Sequence, residues 1–354
     1  MPADNFATTD QENRYTSIPK TFPGKLCKIL YDRYIGYHGA TDAGLYMIPC
    51  ELIEDNGTIL KQCVESYAKL WCYGQDFLNW VDANCIFAGT LVDRIVSGYP
   101  KDNAKAFEQK LGYHDPLLVV AEPYQLWAIE ADERLRQVLP LDKVTGNVIF
   151  TDDVRPYRQR KVRILNGCHT LLTPTALLWG KEYVRQCMDD AQLTAFLEKA
   201  VSLEIIPTMD CLPKEALFRF YEYVKNRFAN PYLDHSLKAI SLNTVSKFSA
   251  RLLPSVESYY AKFQKIPQIL TFGFAAMLAY MLTTDSLSDT EDVITFVNAH
   301  RHADAAVYAQ DAICQYYPSL LNIPGFTEAA AGHLHAILTQ GIHAALAEIL
   351  EDRS

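Results

Sequence analysis

The sequence predicts an α/β segment followed by an all-α segment, with the boundary near residues 151–156. Before the boundary, a short apolar run at 44–50, an Asn56-Gly57 turn and a helical pattern over 58–72 form a strand, turn and helix unit. After the boundary, nearly every segment carries the periodicity of a helix. A chain of 354 residues with 49% hydrophobic residues is long enough to build two domains with real cores.

The N-terminal segment is expected to contain further elements of both kinds. Residues 1–20 are polar and irregular, and a helical apolar rhythm follows over 25–34. The segment 90–96 fits either a strand ending in a charged pair or a helix with an internal contact between Asp93 and Arg94. Further strands are predicted at 117–120, 126–129 and 147–150.

The C-terminal segment is predicted to be a series of helices. The most apolar of them, 269–282, is shorter than a membrane span and contains Thr271, Gly273 and Tyr280, which indicates a buried helix. The predicted helices cover 191–202, 214–227, 233–248, 269–282, 289–298, 303–314 and 328–351.

Composition and charge exclude several classes of function. The net charge of -9 and the pI near 5.5 argue against a protein that binds nucleic acid, and nothing indicates a membrane partner. The start of the chain lacks a signal pattern, which predicts a cytoplasmic protein. The nine cysteines are scattered without a Cys-x-x-Cys pair, which favours reduced thiols in the core and no metal site.

The segment 152–169 is the most unusual part of the chain. Asp152, Asp153 and Pro156 suit the start of a helix, but cations then crowd the positive end of its dipole. An anionic ligand would compensate this charge; the alternative is a solvated basic helix start. The cations are Arg155, Arg158, Arg160, Lys161 and Arg163.

The side chains of Lys161, Asn166 and His169 are predicted to share one helix face. At about 100° per residue they fall within an arc of about 140°. Lysine acts as a general acid/base only when burial and neighbouring cations lower its pKa. Asn166 could donate a hydrogen bond to a carbonyl oxygen that becomes an alkoxide, and His169 could orient a hydroxyl. The length of this face suits an extended polyol or sugar acid.

No Gly-x-Gly-x-x-Gly loop follows a strand anywhere in the sequence. Gly36, Gly39 and Gly44 are loosely spaced and fit turns better than a phosphate loop. The residues alone therefore indicate no dinucleotide site, and the positions that would bind a cofactor stay unknown.

The pattern Lys161-x4-Asn166-x2-His169 resembles the motif of the mannitol dehydrogenase family, the polyol-specific long-chain dehydrogenases. The likeness is strongest to the branch that interconverts tagaturonate and altronate, which shares Cys50-Glu51-Leu52 where mannitol-type members have Cys-Asp-Asn. Further matches follow in order at 48–57, 90–100, 111–115, 153–158, 227–235, 241–243 and 247–248.

The resemblance implies the remainder of a Rossmann-type dinucleotide-binding domain over 1–155 and a helical substrate domain over 156–354. It implies NAD as cofactor, no metal, and reduction of tagaturonate to altronate by hydride transfer. Family members begin with a βαβ half that carries a Gly-x-Gly-x-Phe loop, so either the chain is truncated or a second chain supplies that half. The alternatives are a non-catalytic remnant that binds sugar acids, and specificity for mannitol or fructuronate.

The resemblance also implies roles for individual residues. Lys161 would be the general acid/base, with Asn166 and His169 assisting at the reacting carbonyl and hydroxyl. Asp93 would line the active site, Arg227 would contact the substrate and His235 would hold a neighbouring position in the pocket. Without the resemblance, Arg227 would be a paired surface arginine, and Asp93 would form a salt bridge with Arg94.

Overall fold

The computed structural model describes residues 18–101, 103–144 and 146–351. Their contacts group them into two compact units. The first unit comprises the chain up to Ile95 and Pro123–Arg158, and the second comprises Val96–Glu122 and the chain from Gln159 onwards. The segment 96–122 therefore belongs with the helical unit, although a single boundary near 151–156 was predicted.

Short strands form three small sheets. The strands are β1 (Tyr46–Met47), β2 (Ile86–Phe87), β3 (Thr90–Asp93), β4 (Val96–Gly98), β5 (Val120–Ala121), β6 (Leu126–Glu130) and β7 (Val148–Thr151). In the first unit β1 pairs parallel with β2, while β6 lies between antiparallel β3 and parallel β7. In the second unit β4 and β5 form an antiparallel pair. Of the two structures expected for 90–96, the strand is present.

Helices make up most of the rest of the described chain. Two stretches, Lys161–Asn166 and Ala200–Ile205, are π-helical. The α-helices are α1 (Phe22–Gly36), α2 (Asn56–Leu70), α3 (Gln75–Asn84), α4 (Ala104–Leu111), α5 (Glu133–Val138), α6 (Arg155–Arg160), α7 (Gly167–Leu178), α8 (Val184–Met188), α9 (Ala191–Lys199), α10 (Lys214–Phe228), α11 (Leu237–Ile240), α12 (Thr244–Arg251), α13 (Leu253–Phe263), α14 (Gln268–Thr283), α15 (Glu291–Ala299), α16 (Ala305–Tyr316), α17 (Phe326–Gln340) and α18 (Ile342–Glu351).

The core of the first unit is aromatic. Helix α2 buries Leu60, Val64 and Tyr67 along one face because these residues recur every three or four positions. Tyr31 of α1 stacks on Tyr73 with 3.6 Å between ring centroids. Aromatic contacts add to the stabilisation that burial of each large side chain provides, about 1.5–3 kcal/mol.

Helix α14 is the centre of the second unit. Every residue from Ile269 to Met281 is buried, as expected for a helix that is apolar on all sides. A Cβ atom on Gly273 would lie 2.0 Å from Leu171 Cδ1, so glycine is required where α14 crosses α7. This close packing fixes the helix that continues from the unusual segment. In the described part of the chain, no helix is long and apolar enough to span a membrane.

Most predicted helices begin and end within a few residues of the observed ones, but two predictions were wrong. The pattern over 233–248 is two helices, α11 and α12, because Asn243 between them has a left-handed φ of 52°. The pattern over 328–351 breaks at Gly341, whose φ is 84°. Of the strand predicted at 117–120, only the last residue lies in a strand, β5 (Val120–Ala121).

The cysteines are all free thiols. Five of them are buried, and the pKa of Cys27 is raised to about 12 because burial disfavours the thiolate. The prediction that all nine lie in the core was wrong, because Cys50, Cys72 and Cys314 are exposed.

Candidate active site

The helix predicted to begin near Asp153 is present. Asp153 Oδ1 accepts a hydrogen bond from the Arg155 backbone N–H at 2.8 Å, and the same carboxylate pairs with the Arg155 guanidinium at 2.9 Å. A carboxylate here satisfies a helix donor that has no partner within the helix. Helix α6 therefore begins where the acid and the first cation neutralise one another.

The helix changes geometry at Lys161. Residues Lys161–Asn166 form a π-helix, in which the Gly167 N–H donates to the Val162 carbonyl five residues earlier. The prediction of one face at 100° per residue was therefore wrong between Lys161 and Asn166, which are the first and last residues of this π-helix. Short π-helical turns inside α-helices are frequent at functional sites.

Arg163 fastens the π-helix to the rest of the second unit. Its side chain is 4% exposed, and it donates from Nε to Ser255 Oγ at 2.9 Å and from Nη2 to Thr208 Oγ1 at 2.7 Å. Burial lowers the pKa of Arg163 to about 10, so the guanidinium is still charged at neutral pH. Its role is structural, and it is not available to an anionic ligand.

Two other cations of the predicted cluster also have protein partners. Arg158 Nη1 lies 3.5 Å from carboxylate oxygens of Glu54 and of Asp55. The Arg160 guanidinium lies over the Phe220 ring, 4.3 Å from its centroid. The expectation that this cluster as a whole serves an anion was therefore wrong for Arg155, Arg158 and Arg163, whose charges or donors contact the protein itself.

His169 lies in the first turn of α7 and is buried, with 7% exposure. Its ring stacks on Phe228 with 4.3 Å between centroids and meets the edge of His235 at 5.0 Å. Burial lowers the pKa of His169 well below its usual value, and His235, Arg251, Arg227 and Lys247 lower it further.

Neutral imidazole is therefore the form of His169 at physiological pH. Its Nε2 atom has no hydrogen-bond partner among the described residues. Buried polar atoms are rarely left in this state, and this ring nitrogen can therefore form one further hydrogen bond. The structure also brings His235 beside the His169 ring.

Arg227 forms a buried ion pair that the sequence did not suggest. Its Nη2 atom lies 2.8 Å from Glu122 Oε1 and its Nε atom lies 3.1 Å from both oxygens, with the two side chains 4% and 1% exposed. The arginine is thus paired, but in the interior of the second unit and not at its surface. Glu122 lies 105 residues away in the chain, so no local pattern could have revealed this partner.

Asp93 lies at the end of β3 in the first unit and is 4% exposed. The neighbouring Arg94 donates from Nη1 to Gln125 Oε1 at 3.3 Å. Near the start of β3, the Asn56 amide donates to the carbonyls of Pro49 and Glu51 at 3.1 Å. Asn56 Oδ1 also accepts from the Thr90 N–H at 2.9 Å, so this side chain ties the 49–51 loop to the strand that ends at Asp93.

Lys247 and Arg251 on α12 are functional candidates that the sequence reasoning missed. Arg251 Nη1 donates to Thr170 Oγ1 at 3.1 Å, and Lys247 Nζ donates to the Ile240 carbonyl at 2.8 Å. Both cations lower the pKa of His169, and Arg251 contacts the residue next to it in the chain. The available signal was two like charges spaced i, i+4, which destabilise a helix unless a ligand compensates them.

Family models match both parts of the chain. The mannitol dehydrogenase Rossmann domain matches residues 5–143, and the mannitol dehydrogenase C-terminal domain matches residues 153–334. The altronate oxidoreductase of Yersinia pestis is 39% identical over 344 residues, covering 93% of this chain and 71% of the relative. The altronate oxidoreductase of Shigella flexneri is 38% identical over 340 residues, with 92% and 70% covered.

Solved structures share the fold. Pseudomonas fluorescens mannitol 2-dehydrogenase, in a ternary complex with NAD and D-mannitol, aligns with a TM-score of 0.71 at 22% identity, over 94% of this chain and 67% of that one. A D-sorbitol dehydrogenase in substrate-free form aligns with a TM-score of 0.79 at 22% identity, over 95% and 68%.

A Rossmann-type domain followed by a mostly helical domain is the architecture of these polyol dehydrogenases, which confirms the predicted fold class. The relatives and the two family models identify the chain more closely: it belongs to the mannitol dehydrogenase family.

Proposed function

We propose that this protein is a sugar-acid oxidoreductase that interconverts tagaturonate and altronate with NADH. One observation carries the proposal: Lys161, Asn166 and His169 lie on one continuous helix, with His169 neutral and one ring nitrogen without a protein partner. The altronate oxidoreductases at 38–39% identity support the choice of substrate.

The proposed chemistry assigns one task to each of the three side chains. The Lys161 ammonium gives a proton to the carbonyl oxygen of tagaturonate while a hydride arrives at the carbonyl carbon, which forms the secondary alcohol of altronate. The Asn166 amide donates to the same oxygen as its negative charge develops. His169 bonds a neighbouring hydroxyl and so orients the substrate chain.

Three further residues complete the proposed site. Arg227 is a substrate contact by resemblance, and its pairing with Glu122 leaves it as a neutralised group close to His169. His235 meets the edge of the His169 ring and limits its rotation. Asp93, which is buried at the end of β3 in the first unit, is a site residue by resemblance only.

A nicotinamide cofactor, when bound, supplies the hydride or accepts it. In Rossmann-type domains the cofactor lies at the carboxyl ends of the parallel strands, here the loops after β1 and β2. Asn56 holds the first of these loops through the Pro49 and Glu51 carbonyls. Among the described residues no glycine-rich loop fits the pyrophosphate, so the proposal assigns no residue to that part of the cofactor.

The proposal is tested by following NADH oxidation with tagaturonate, fructuronate and fructose. We expect turnover with tagaturonate and at most weak turnover with fructose, because fructose lacks the carboxylate. A preference for fructose would contradict the proposal. Thermal unfolding with NADH alone and with altronate alone separates catalysis from mere binding, since a ligand at 100 times its dissociation constant adds about 2.7 kcal/mol of stability. Stabilisation by altronate only would favour the non-catalytic sugar-acid protein.

A further inference from the structure

Helix α12 places two cations beside the candidate site without an acidic partner. Lys247 and Arg251 are both half-buried, and among the described residues no carboxylate lies within ion-pair distance of either. The carboxylate that acts on Lys247 from a distance belongs to Asp289, and its Oδ2 accepts from the Val245 N–H at 3.3 Å. A half-buried pair of like charges is costly unless something else neutralises it.

The surrounding donors have spare capacity. The Arg251 guanidinium has five N–H groups, and the only partner of its side chain among the described residues is Thr170 Oγ1. Lys247 donates to the Ile240 carbonyl, which leaves further ammonium protons available. Lys247, Thr170 and Thr173 also line a small cavity of about 10 Å³, which has room for one water molecule at most.

Thr173 indicates that this small cavity holds a water molecule. Its side chain is 3% exposed, it lines the cavity, and its hydroxyl has no hydrogen-bond partner among the described residues. An orphaned hydroxyl in the interior is costly. One water molecule in the cavity completes its hydrogen bonding.

The cavity lies along the helix face that carries the candidate catalytic residues. Asn166, His169, Thr170 and Thr173 are spaced i, i+3, i+4 and i+7 and therefore share one face of α7. Asn166 and Thr170 are four residues apart, which corresponds to about 6 Å along the helix axis. An extended sugar acid that reacts beside Asn166 can therefore place its far end beside Thr170.

We propose that Arg251 and Lys247, with the hydroxyl of Thr170, form the subsite that binds the carboxylate of the sugar acid. This inference rests on the proposed function and specifies how that site selects an acid over a neutral sugar. The guanidinium presents two parallel N–H groups to the two carboxylate oxygens, and the ammonium adds a point charge. Because Arg227 is neutralised by Glu122, the subsite lies on α12 and not on α10.

The test compares altronate with altritol, which has a hydroxymethyl group in place of the carboxylate. Calorimetric titration measures the binding of each ligand to the wild type, Arg251→Gln and Lys247→Gln. The matched controls are Arg185→Gln and Lys262→Gln, which remove the same charges from ion pairs with Asp234 and Asp210. We expect altronate affinity to fall roughly 10- to 100-fold in Arg251→Gln, less in Lys247→Gln, and within twofold for altritol and for both controls.

Several outcomes would overturn the subsite. Equal losses of affinity for altronate and altritol would indicate a structural role of the two cations. Unchanged altronate affinity would place the carboxylate elsewhere. A loss of affinity confined to NADH would assign the cations to the cofactor. Arg251→Lys keeps the charge and is expected to recover most of the affinity, which guards against a folding defect in Arg251→Gln.

The same variants separate this inference from the proposed function. If the wild type binds altronate through Arg251 but does not oxidise NADH with tagaturonate, the proposed function fails and the subsite stands. If the wild type turns over and Arg251→Gln keeps the ratio of kcat/KM for tagaturonate to that for the neutral ketose, the subsite fails and the function stands. With a correct subsite, KM for tagaturonate rises while kcat changes little.

Discussion

The cations on the helix that starts at Arg155 differ from those on α12 in what they contact. Arg155 pairs with Asp153, Arg158 with Glu54 and Asp55, and Arg163 donates to Ser255 and Thr208. The second group, Lys247 and Arg251, has no acidic partner in the described residues and donates only to the Ile240 carbonyl and the Thr170 hydroxyl there. A run of positive charge in sequence is therefore a poor guide to which cations bind a ligand; the partners that the fold supplies decide it.

The largest effect is expected at Lys161, whose proposed role is chemical. Lys161→Ala should lower kcat with tagaturonate by roughly 10²- to 10⁴-fold, because a positioned general acid is lost. The melting temperature should change little. Steady-state rates and thermal unfolding of the same preparation check both statements. Wild-type turnover in this variant would refute the assignment of the lysine.

The buried ion pair of Arg227 and Glu122 tests how much a cation with a protein partner contributes to stability. Glu122→Gln should lower the free energy of unfolding by about 3–5 kcal/mol, since it leaves a buried guanidinium without its counter-charge. Urea unfolding measures this loss. The double variant Glu122→Leu with Arg227→Met should recover much of it, because neither charge is then buried alone. If Glu122→Gln is as stable as the wild type, the pair does not hold the second unit together.

Glu204 is a buried acid of the second unit whose contribution to the free energy of unfolding depends on pH. Its carboxylate accepts from the N–H groups of Ile269 and Leu270 at 2.9 and 2.8 Å, and burial raises its pKa from 4.5 to about 7. Between pH 4.5 and pH 7 the Glu204 carboxyl is deprotonated in the unfolded chain but still protonated in the folded protein. The free energy of unfolding therefore falls by about 3 kcal/mol as the pH rises from 4.5 to 7, and it falls no further above pH 7.

The Glu204→Gln variant isolates this contribution. The difference in unfolding free energy between wild type and variant should change across pH 4.5–7 and be flat on either side. Denaturant titrations at closely spaced pH values measure it. A difference that is constant with pH would show that Glu204 keeps its ordinary pKa in the folded protein.

The smallest effect on stability is expected at Arg251, the cation that is proposed to bind a ligand. Arg251→Gln should change the stability of the ligand-free protein by no more than about 0.5 kcal/mol, because it relieves a like-charge contact while losing one hydrogen bond. Arg163→Leu should cost about 1.5–3 kcal/mol, since it strands two buried hydroxyls. Equal costs at the two arginines would remove the distinction between structural and ligand-binding cations.

Local patterns predicted the helices well where apolar repeats are strong. The expected 269–282 became α14 with a shift of one residue at each end, because continuous apolar sequence of that length is stable only inside a core. The break at Asn243 was not predictable from periodicity, because a single left-handed residue does not change the apolar pattern.

The geometry of the site depends on contacts between residues far apart in sequence. The π-helix at Lys161 is fastened by Arg163 to Ser255, 92 residues away, and Arg227 finds Glu122 across 105 residues. The family resemblance predicted Lys161, Asn166 and His169 as the catalytic residues from a sequence motif. It could not show that Arg155, Arg158 and Arg163 contact the protein itself. Nor could it show that Arg251 has no acidic partner among the described residues.

A crystal structure of the protein with altronate bound tests the proposed site most directly. We predict the carboxylate within hydrogen-bond distance of Arg251 and Lys247, and a secondary hydroxyl beside Lys161 and Asn166 with another on His169 Nε2. A carboxylate bound at Arg227, or a sugar chain that lies away from the Asn166 and Thr173 face of α7, would contradict it.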